Sequence, residues 1–161
     1  MNRELHIVGF QVGRETYGVR IASLHEIVRV TEITAVPDAP VYIEGVINLR
    51  GKIVSVIDLR KRFGEKQIVA NPKKNRILVV ESHGRLTGLI VDSASDVIKI
   101  PAEDVEPPPA VFQDGGLNCV TGLGKYKDRL IVLLDVNKLL QNSSSQREEK
   151  SVETKGAAAG Q

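Results

Sequence analysis

Short segments in which apolar and polar residues alternate recur along the first 140 positions of the chain. A period of two places successive side chains on opposite faces of a β-strand. Residues 6–12 and 17–21 show this pattern and are joined by a polar turn at Gly13. We therefore predict that the chain begins with a β-hairpin and that short strands dominate the fold.

A second predicted hairpin, at residues 45–60, is the most informative segment of the first half. Two apolar runs flank the polar corner Asn48-Leu49-Arg50-Gly51. Gly51 stands where a tight turn needs a positive φ, which a residue without Cβ adopts at little cost. The corner carries Arg50, whose permanent charge a simple solvated turn would not require. Arg50 is therefore a candidate contact for a partner.

The second half of the chain repeats the pattern of the first. At a shift of 70 residues Gly88 aligns with Gly18, and after an insertion at 108–116 a shift of 77 residues aligns Asp135 with Asp58. Internal repetition at a fixed period indicates two copies of one structural unit. Each copy contains about five predicted strands.

The repeat predicts two small subdomains. We assign residues 1–64 to the first, 65–75 to a polar connector, 76–141 to the second and 142–161 to a mobile, serine-rich and charged tail. Each subdomain has too few apolar residues for a large core of its own, so two small five-stranded barrels that share apolar surface fit best. A groove between the halves would favour binding.

Short helices are predicted where side chains can cap a helix start. Ser23 is followed three residues later by Glu26, the spacing of a capping box, and the pattern recurs at 93–96. Asp58 and Asp135 each follow an apolar strand and precede a short helical segment, so we interpret both as structural caps.

Composition excludes several classes. Net charge is +2, aromatic residues make up 4% and Cys119 is the single cysteine, which leaves no intrachain disulfide and indicates a small core residue. No apolar run reaches the length of a membrane span, and no signal-peptide pattern follows Met1. We expect a cytoplasmic protein with no direct membrane insertion.

Catalytic and cofactor motifs find little support. His6, His25 and His83 lack the helical spacing of a zinc site, and Gly122 to Lys125 lacks the spacing of a phosphate loop and is predicted to be a hairpin corner. We expect no enzymatic activity, metal or cofactor. A hydrolase stays open as an alternative, and it would require a perturbed titratable cluster.

Nucleic-acid binding is the other alternative. Basic residues concentrate between residues 50 and 76, but Phe63 is the one aromatic among them. Single-strand binders usually stack bases on aromatic rings. We therefore predict a solvated basic face and no nucleic-acid partner, whereas a nucleic-acid binder would show steeply salt-dependent binding to oligonucleotides.

Several strings resemble CheW, the family of bacterial chemotaxis coupling proteins, over about residues 5–140. They are Tyr17-Gly18-Val19, Glu26-Ile27, Val36-Pro37, Gly45-Val46-Ile47-Asn48-Leu49-Arg50-Gly51 and Val56-Ile57-Asp58-Leu59-Arg60 in the first half, and Gly88-Leu89-Ile90-Val91-Asp92, Ser95-Asp96-Val97 and Thr121-Gly122-Leu123-Gly124 in the second.

The resemblance implies an all-β protein of two intertwined, SH3-like five-stranded barrels with short helices. It implies a non-enzymatic scaffold without cofactors that couples chemoreceptors to the histidine kinase CheA and is recruited from the cytoplasm to membrane-associated receptor arrays. The receptor's cytoplasmic hairpin tip would lie in the groove between the halves, lined or bordered by Leu24, Gly45, Arg50, Ile77 and Val97. The regulatory domain of CheA would pack on a face to which we assign no residues.

Overall fold

The computed structural model describes residues 3–64, 73–110 and 118–140 of the 161-residue chain. The strands are β1 Glu4–Val12, β2 Glu15–Arg20, β3 Leu24–Arg29, β4 Ile43–Leu49, β5 Lys52–Asp58, β6 Arg76–Ser82, β7 Arg85–Val91, β8 Ser93–Pro101, β9 Val105–Glu106, β10 Val120–Tyr126 and β11 Arg129–Leu134. The helix α1 spans Leu59–Arg62, and a second helical segment lies at 136–140. The predicted tail, and most of the predicted connector, lie outside the described residues.

The strands form two sheets, which confirms the predicted all-β class. Sheet A has the order β8-β1-β2-β11-β10-β9 and sheet B the order β3-β6-β7-β5-β4. Most neighbours are antiparallel, but β2 pairs with β11 and β5 with β7 in parallel. The five-strand order of sheet B matches the first five strands of sheet A once each strand is replaced by its repeat equivalent.

Each sheet takes strands from both sides of the predicted connector. Sheet A combines β1 and β2 with strands of the second half, and sheet B combines β6 and β7 with strands of the first half. The boundary between residues 64 and 76 therefore does not separate the sheets. The two repeats are intertwined, as the family resemblance implies.

Three apolar clusters stabilise this arrangement. The largest contains buried residues from both sheets, among them Phe10, Val12, Leu78 and Leu89, and it fills the space between them. A second cluster around Ile77 and Val54 belongs to sheet B, and a third around Ile7 belongs to sheet A. The shared cluster holds the two sheets together.

The predicted helices after Ser23 and Ser93 are wrong. A short 3-10 turn, Ile21–Ser23, is followed directly by β3, whose alternating burial and antiparallel pairing with β6 define a strand. Residues 93–96 open β8, which pairs with β1. The backbone bonds of each segment are satisfied by a neighbouring strand, and this outweighs the local capping signal.

The predicted aspartate caps are confirmed. The Asp58 carboxylate accepts a hydrogen bond from the backbone N–H of Arg60 at 2.9 Å, at the start of α1. The Asp135 carboxylate accepts one from the backbone N–H of Lys138 at 3.1 Å. The predicted corner at Gly122 to Lys125 is wrong, because those residues lie within β10 and its turn comes later, at Lys127 and Asp128.

A buried ion-pair network joins the two sheets. The Arg60 guanidinium donates from Nε and Nη2 to the two carboxylate oxygens of Asp58, each at 3.0 Å, and from Nη1 to Asp92 at 3.4 Å. The hydrogen bond to Asp58 raises the pKa of Arg60. The other oxygen of Asp92 accepts from the backbone N–H of Gly13 at 2.7 Å, in the β1–β2 turn of sheet A. Arg60 is thus structural, whereas the sequence placed it among the solvated basic residues.

Candidate docking site

The β4–β5 hairpin holds Arg50 in a left-handed conformation at its turn. Arg50 has φ 51° and Gly51 has φ 86°, which confirms the positive φ predicted for the glycine. The backbone N–H of Gly51 donates to the Asn48 side-chain oxygen at 2.8 Å and closes the corner. A non-glycine residue at positive φ is uncommon and costs conformational energy. The local sequence thus directs the Arg50 side chain out of the hairpin.

Arg50 makes a bidentate ion pair with Glu26. Its Nη1 and Nη2 atoms each donate to one oxygen of the Glu26 carboxylate at 2.7 Å. The Glu26 side chain is 19% exposed and that of Arg50 is 74% exposed. Two parallel charge-assisted hydrogen bonds fix the plane of the guanidinium. The charge predicted at this corner is therefore held in a defined position and still faces solvent.

The ion pair links the two ends of sheet B. β3, which carries Glu26, and β4, which leads into the Arg50 turn, are the two terminal strands of that sheet. We call the surface formed by β3, β4 and the Arg50 turn the sheet-B seam. A groove of about 390 Å³ beside β4 is lined by Thr34, Val46, Asn48 and Ile53 among others. The seam therefore combines a fixed charge with a neighbouring concave surface.

Gly45 shapes the β4 edge of the seam. It has φ 146° and lies at an irregularity in the pairing of β4 with β5. Beside it, Thr34 and Val46 exchange two backbone hydrogen bonds of 2.9 Å. A Cβ added at Gly45 would lie 2.0 Å from the Thr34 carbonyl oxygen. This close approach of two backbones requires glycine.

Leu24 and Ile77 support the seam from within. Leu24 begins β3 and is half-buried against the core shared by the sheets. Ile77, on β6, is fully buried in the cluster of sheet B. Ile77 therefore has no surface to offer a partner in this conformation, although it was expected to line or border the contact.

Val97 lies elsewhere. It is on β8 of sheet A, paired with Val8, and is 49% exposed. The structure thus places Leu24, Gly45, Arg50 and Ile77 on sheet B and Val97 on sheet A. Val97 aligns with Ile27 of β3 at the repeat shift of 70 residues, but its predicted role came from the family resemblance.

The pairing of Glu26 with Arg50 and the exposure of Ile53 were missed by the sequence reasoning. Glu26 was interpreted as a helix cap, but the strand period of β3 places it beside Leu24 on the half-buried face and sets Ile27 on the other. Ile27 is 38% exposed and Ile53 is 70% exposed. The unexplained charge of Arg50 was a signal that it has a partner. No nearby residue indicated that its ion-pair partner within the chain is Glu26, 24 residues away.

The described residues contain no group of three or more histidine, cysteine, aspartate or glutamate side chains that could hold a metal ion. Among these residues there is also no helix long and apolar enough to cross a membrane. Cys119 is fully buried in the shared core, as predicted. Burial raises the pKa of its thiol, and the nearby Arg62 charge opposes this only in part.

Cys119 should be almost inert in the folded protein. A buried thiol with a raised pKa stays protonated at neutral pH, and only the thiolate reacts. We expect its reaction with Ellman's reagent at pH 8 to be slower by at least about tenfold than in 6 M guanidinium chloride. Equal rates in the two conditions would show that the core around Cys119 opens readily.

Comparison with known proteins places this fold in a family. A family profile described as the CheW-like domain matches residues 6–144. The chain belongs to the CheW-like domain family. The match covers both repeats, and so includes the sheet-B seam and strand β8.

Individual relatives agree with this assignment. The chain is 37% identical to the chemotaxis protein CheW of Helicobacter pylori over 137 residues, which cover 85% of this chain and 82% of that protein. It is 36% identical to the chemotaxis protein CheW of Klebsiella aerogenes, over 83% of this chain and 80% of the relative. The crystal structure of the scaffolding protein TtCheW from Thermoanaerobacter tengcongensis matches with a TM-score of 0.77 and 42% identity, over 84% of this chain and 91% of that one.

Proposed function

We propose that this protein is a non-enzymatic chemotaxis scaffold that couples chemoreceptors to the histidine kinase CheA. Its family membership and its relatives named as chemotaxis and scaffolding proteins support this proposal. The protein would act in the cytoplasm and be recruited to membrane-associated receptor arrays. Its partners would be the cytoplasmic hairpin tip of the receptor and the regulatory domain of the kinase.

The sheet-B seam is the surface that we assign to the receptor tip. The observation that carries this assignment is the Glu26–Arg50 ion pair, which holds an exposed guanidinium in one orientation. Arginine is favoured at protein interfaces because its planar head donates several hydrogen bonds. Arg50 would contact the receptor directly, Leu24 would border the contact, and Gly45 and Ile77 would hold the strands beneath it.

Coupling in such a scaffold is mechanical. The core shared by the two sheets and the Arg60 network keep the seam in a fixed orientation relative to sheet A. A receptor bound at the seam and a kinase bound on another face are then held in one geometry, so a small shift of the receptor changes the kinase. Coupling between two sites of a protein is typically about 1–3 kcal/mol.

Arg50→Glu should abolish most receptor-dependent activation of the kinase while leaving the fold intact. The substitution reverses an exposed charge and places two carboxylates, at positions 26 and 50, opposite each other. The measurement is CheA autophosphorylation with receptor-bearing membranes, and circular dichroism checks folding. Arg85→Glu, an exposed site at the start of β7, is the matched control and should behave like the unsubstituted protein.

The exchange Glu26→Arg/Arg50→Glu separates two roles of the ion pair. The double variant restores an intramolecular ion pair but reverses the sign of the exposed charge at position 50, which faces the partner. Activation should stay low if the Arg50 guanidinium contacts the receptor, and it should recover if the pair only stiffens the seam. Full activation by Arg50→Glu alone would overturn the assignment of the seam.

A further inference from the structure

A cavity of about 490 Å³ opens at the end of sheet A where β2 and β11 finish and where β1 and β10 begin. We call it the sheet-A cavity. Leu5, Ile7, Val105 and Leu133 line it and belong to the apolar cluster of sheet A. Ile7 and Leu133 are nearly fully buried, whereas Leu5 and Val105 are half-buried, so the cavity extends from the surface to that cluster. None of the described residues that line it belongs to the sheet-B seam.

Two side chains of opposite charge line the cavity, Arg20 at the end of β2 and Asp135 directly after β11. The two strands are parallel with Leu133 opposite Gly18, and two further steps of this register set Asp135 beside Arg20. Within the described part of the chain, neither charge forms an ion pair. Asp135 accepts a hydrogen bond from the backbone N–H of Lys138 with one carboxylate oxygen, which leaves the other for a ligand.

Comparison of the repeats shows why this end of sheet A is open. At the repeat shifts of 70 and 77 residues, three lining residues have buried equivalents in sheet B: Arg20 aligns with Ile90, Asp135 with Asp58 and Asn137 with Arg60. In sheet B an isoleucine therefore packs into the apolar cluster, and an arginine of the same chain pairs with the aspartate. In sheet A the equivalents of that isoleucine and that arginine are an exposed arginine and an exposed asparagine. The second repeat thus keeps the aspartate without the cation that binds it in the first.

The lining matches the chemistry of a free α-amino acid with an aliphatic side chain. A guanidinium binds a carboxylate through two parallel hydrogen bonds, and an aspartate accepts hydrogen bonds from an ammonium group. Ser23 and Thr121 add hydroxyl groups to the lining. The volume lies within the range of about 300–1,000 Å³ that is usual for small-molecule pockets. A ligand with a single charge would leave either Arg20 or Asp135 without a partner.

We propose that the sheet-A cavity binds a free aliphatic α-amino acid such as leucine. The α-carboxylate accepts hydrogen bonds from the Arg20 guanidinium, the α-ammonium group donates to Asp135, and the side chain lies against Leu5 and Val105. The ammonium group of the ligand has the role in sheet A that the Arg60 guanidinium has in sheet B. This site is additional to the receptor coupling proposed above and shares no residue with the sheet-B seam.

Titration of the full chain with L-leucine, followed by backbone amide NMR, tests the proposal. We expect saturable shifts at residues 18–23 and 133–138, with a dissociation constant of about 10 mM or lower for so small a ligand. N-acetyl-L-leucine lacks the ammonium group and L-leucinamide lacks the carboxylate, so each should bind about tenfold more weakly or worse. The absence of saturable shifts up to about 50 mM leucine would overturn the proposal.

Substitution of each charged residue should remove the preference for one end of the ligand. Arg20→Gln should raise the dissociation constant of leucine by about tenfold or more but change that of L-leucinamide by less than about twofold, because leucinamide has no carboxylate to lose. Asp135→Asn, in which asparagine can still cap the helical segment, should weaken leucine and leave N-acetyl-L-leucine unchanged. A variant that weakened all three compounds equally would indicate a damaged fold and no direct contact, which would overturn the role assigned to that residue.

Arg129→Gln is the matched control, because Arg129 is an exposed arginine of the same sheet and lies outside the cavity lining. It should bind leucine as the unsubstituted protein does, and equal weakening by this variant would reduce the effect to net charge and overturn the proposal. Leucinamide that bound as tightly as leucine would show a site for cations alone. N-acetyl-L-leucine that bound as tightly would show a site for apolar acids alone, and either result would overturn the assignment of an amino acid.

Discussion

Arg60→Met should lower the free energy of unfolding by about 3–5 kcal/mol, because it leaves a buried carboxylate without its partner. Asp58 is 2% exposed and shares two hydrogen bonds of 3.0 Å with the Arg60 guanidinium. Methionine fills much of the volume of arginine but donates nothing. Removing one member of a buried ion pair is therefore far more costly than replacing both members by apolar residues. Urea denaturation followed by circular dichroism measures the change.

Lys61→Met is the control for this variant. Lys61 is adjacent in the chain and pairs with Glu44, but its side chain is 37% exposed. Exposed ion pairs contribute about 1 kcal/mol or less. A decrease of about 1 kcal/mol or less in the free energy of unfolding of both variants would mean that the Arg60 network contributes little to the stability of the junction between the sheets. A large decrease in Arg60→Met alone would support a role of the network in that stability.

The same variant probes how the sheets are held together. Arg60 follows β5 of sheet B, whereas its second partner, Asp92, accepts a hydrogen bond from Gly13 of sheet A. The pseudo-equivalent junction is neutral, since the Ser82 hydroxyl donates to the Asn137 side-chain oxygen at 2.5 Å. One junction is thus ionic, and the other contains a neutral hydrogen bond between two side chains. Loss of Arg60 should therefore weaken the connection of the β1–β2 hairpin to sheet B.

Gly45→Ala should destabilise the protein by about 2–6 kcal/mol and abolish the receptor coupling that we propose. A residue with a side chain at φ 146° costs about 1–3 kcal/mol, and forcing a methyl group to within 2.0 Å of the Thr34 carbonyl oxygen adds a clash of about 1–3 kcal/mol. The neighbouring backbone must move to relieve it, and this displaces β4 at the seam. Thermal and urea unfolding give the size of the effect.

Gly84→Ala separates the two contributions. Gly84 also has a positive φ, 78°, but an added Cβ there would meet nothing within 4 Å. This control variant should lose about 1 kcal/mol through backbone strain alone. If Gly45→Ala lowered the free energy of unfolding no more than Gly84→Ala, the backbone at Thr34 would move aside at little cost. The proposal that Gly45 makes the β4 edge rigid would then be wrong.

The sequence alone determined the features that depend on neighbouring residues. The period of two located most strands, the turn chemistry placed positive φ at Gly51, and the aspartates after apolar strands marked helix starts. The internal repeat also predicted a long-range feature, because two copies of one unit imply two sheets with equivalent strand orders. These features follow from interactions within a few residues, or from similarity between the two halves, and both can be read from the chain.

The tertiary structure decided which distant segments meet. It exchanged strands between the sheets, turned the predicted caps at Ser23 and Ser93 into strands and buried Arg60 beside Asp58. It also paired Arg50 with Glu26 and set Val97 on a different sheet. The physical reason is that a strand chooses its neighbour by the packing and hydrogen bonds of the whole sheet. Local propensity contributes about 1 kcal/mol or less per residue to that choice.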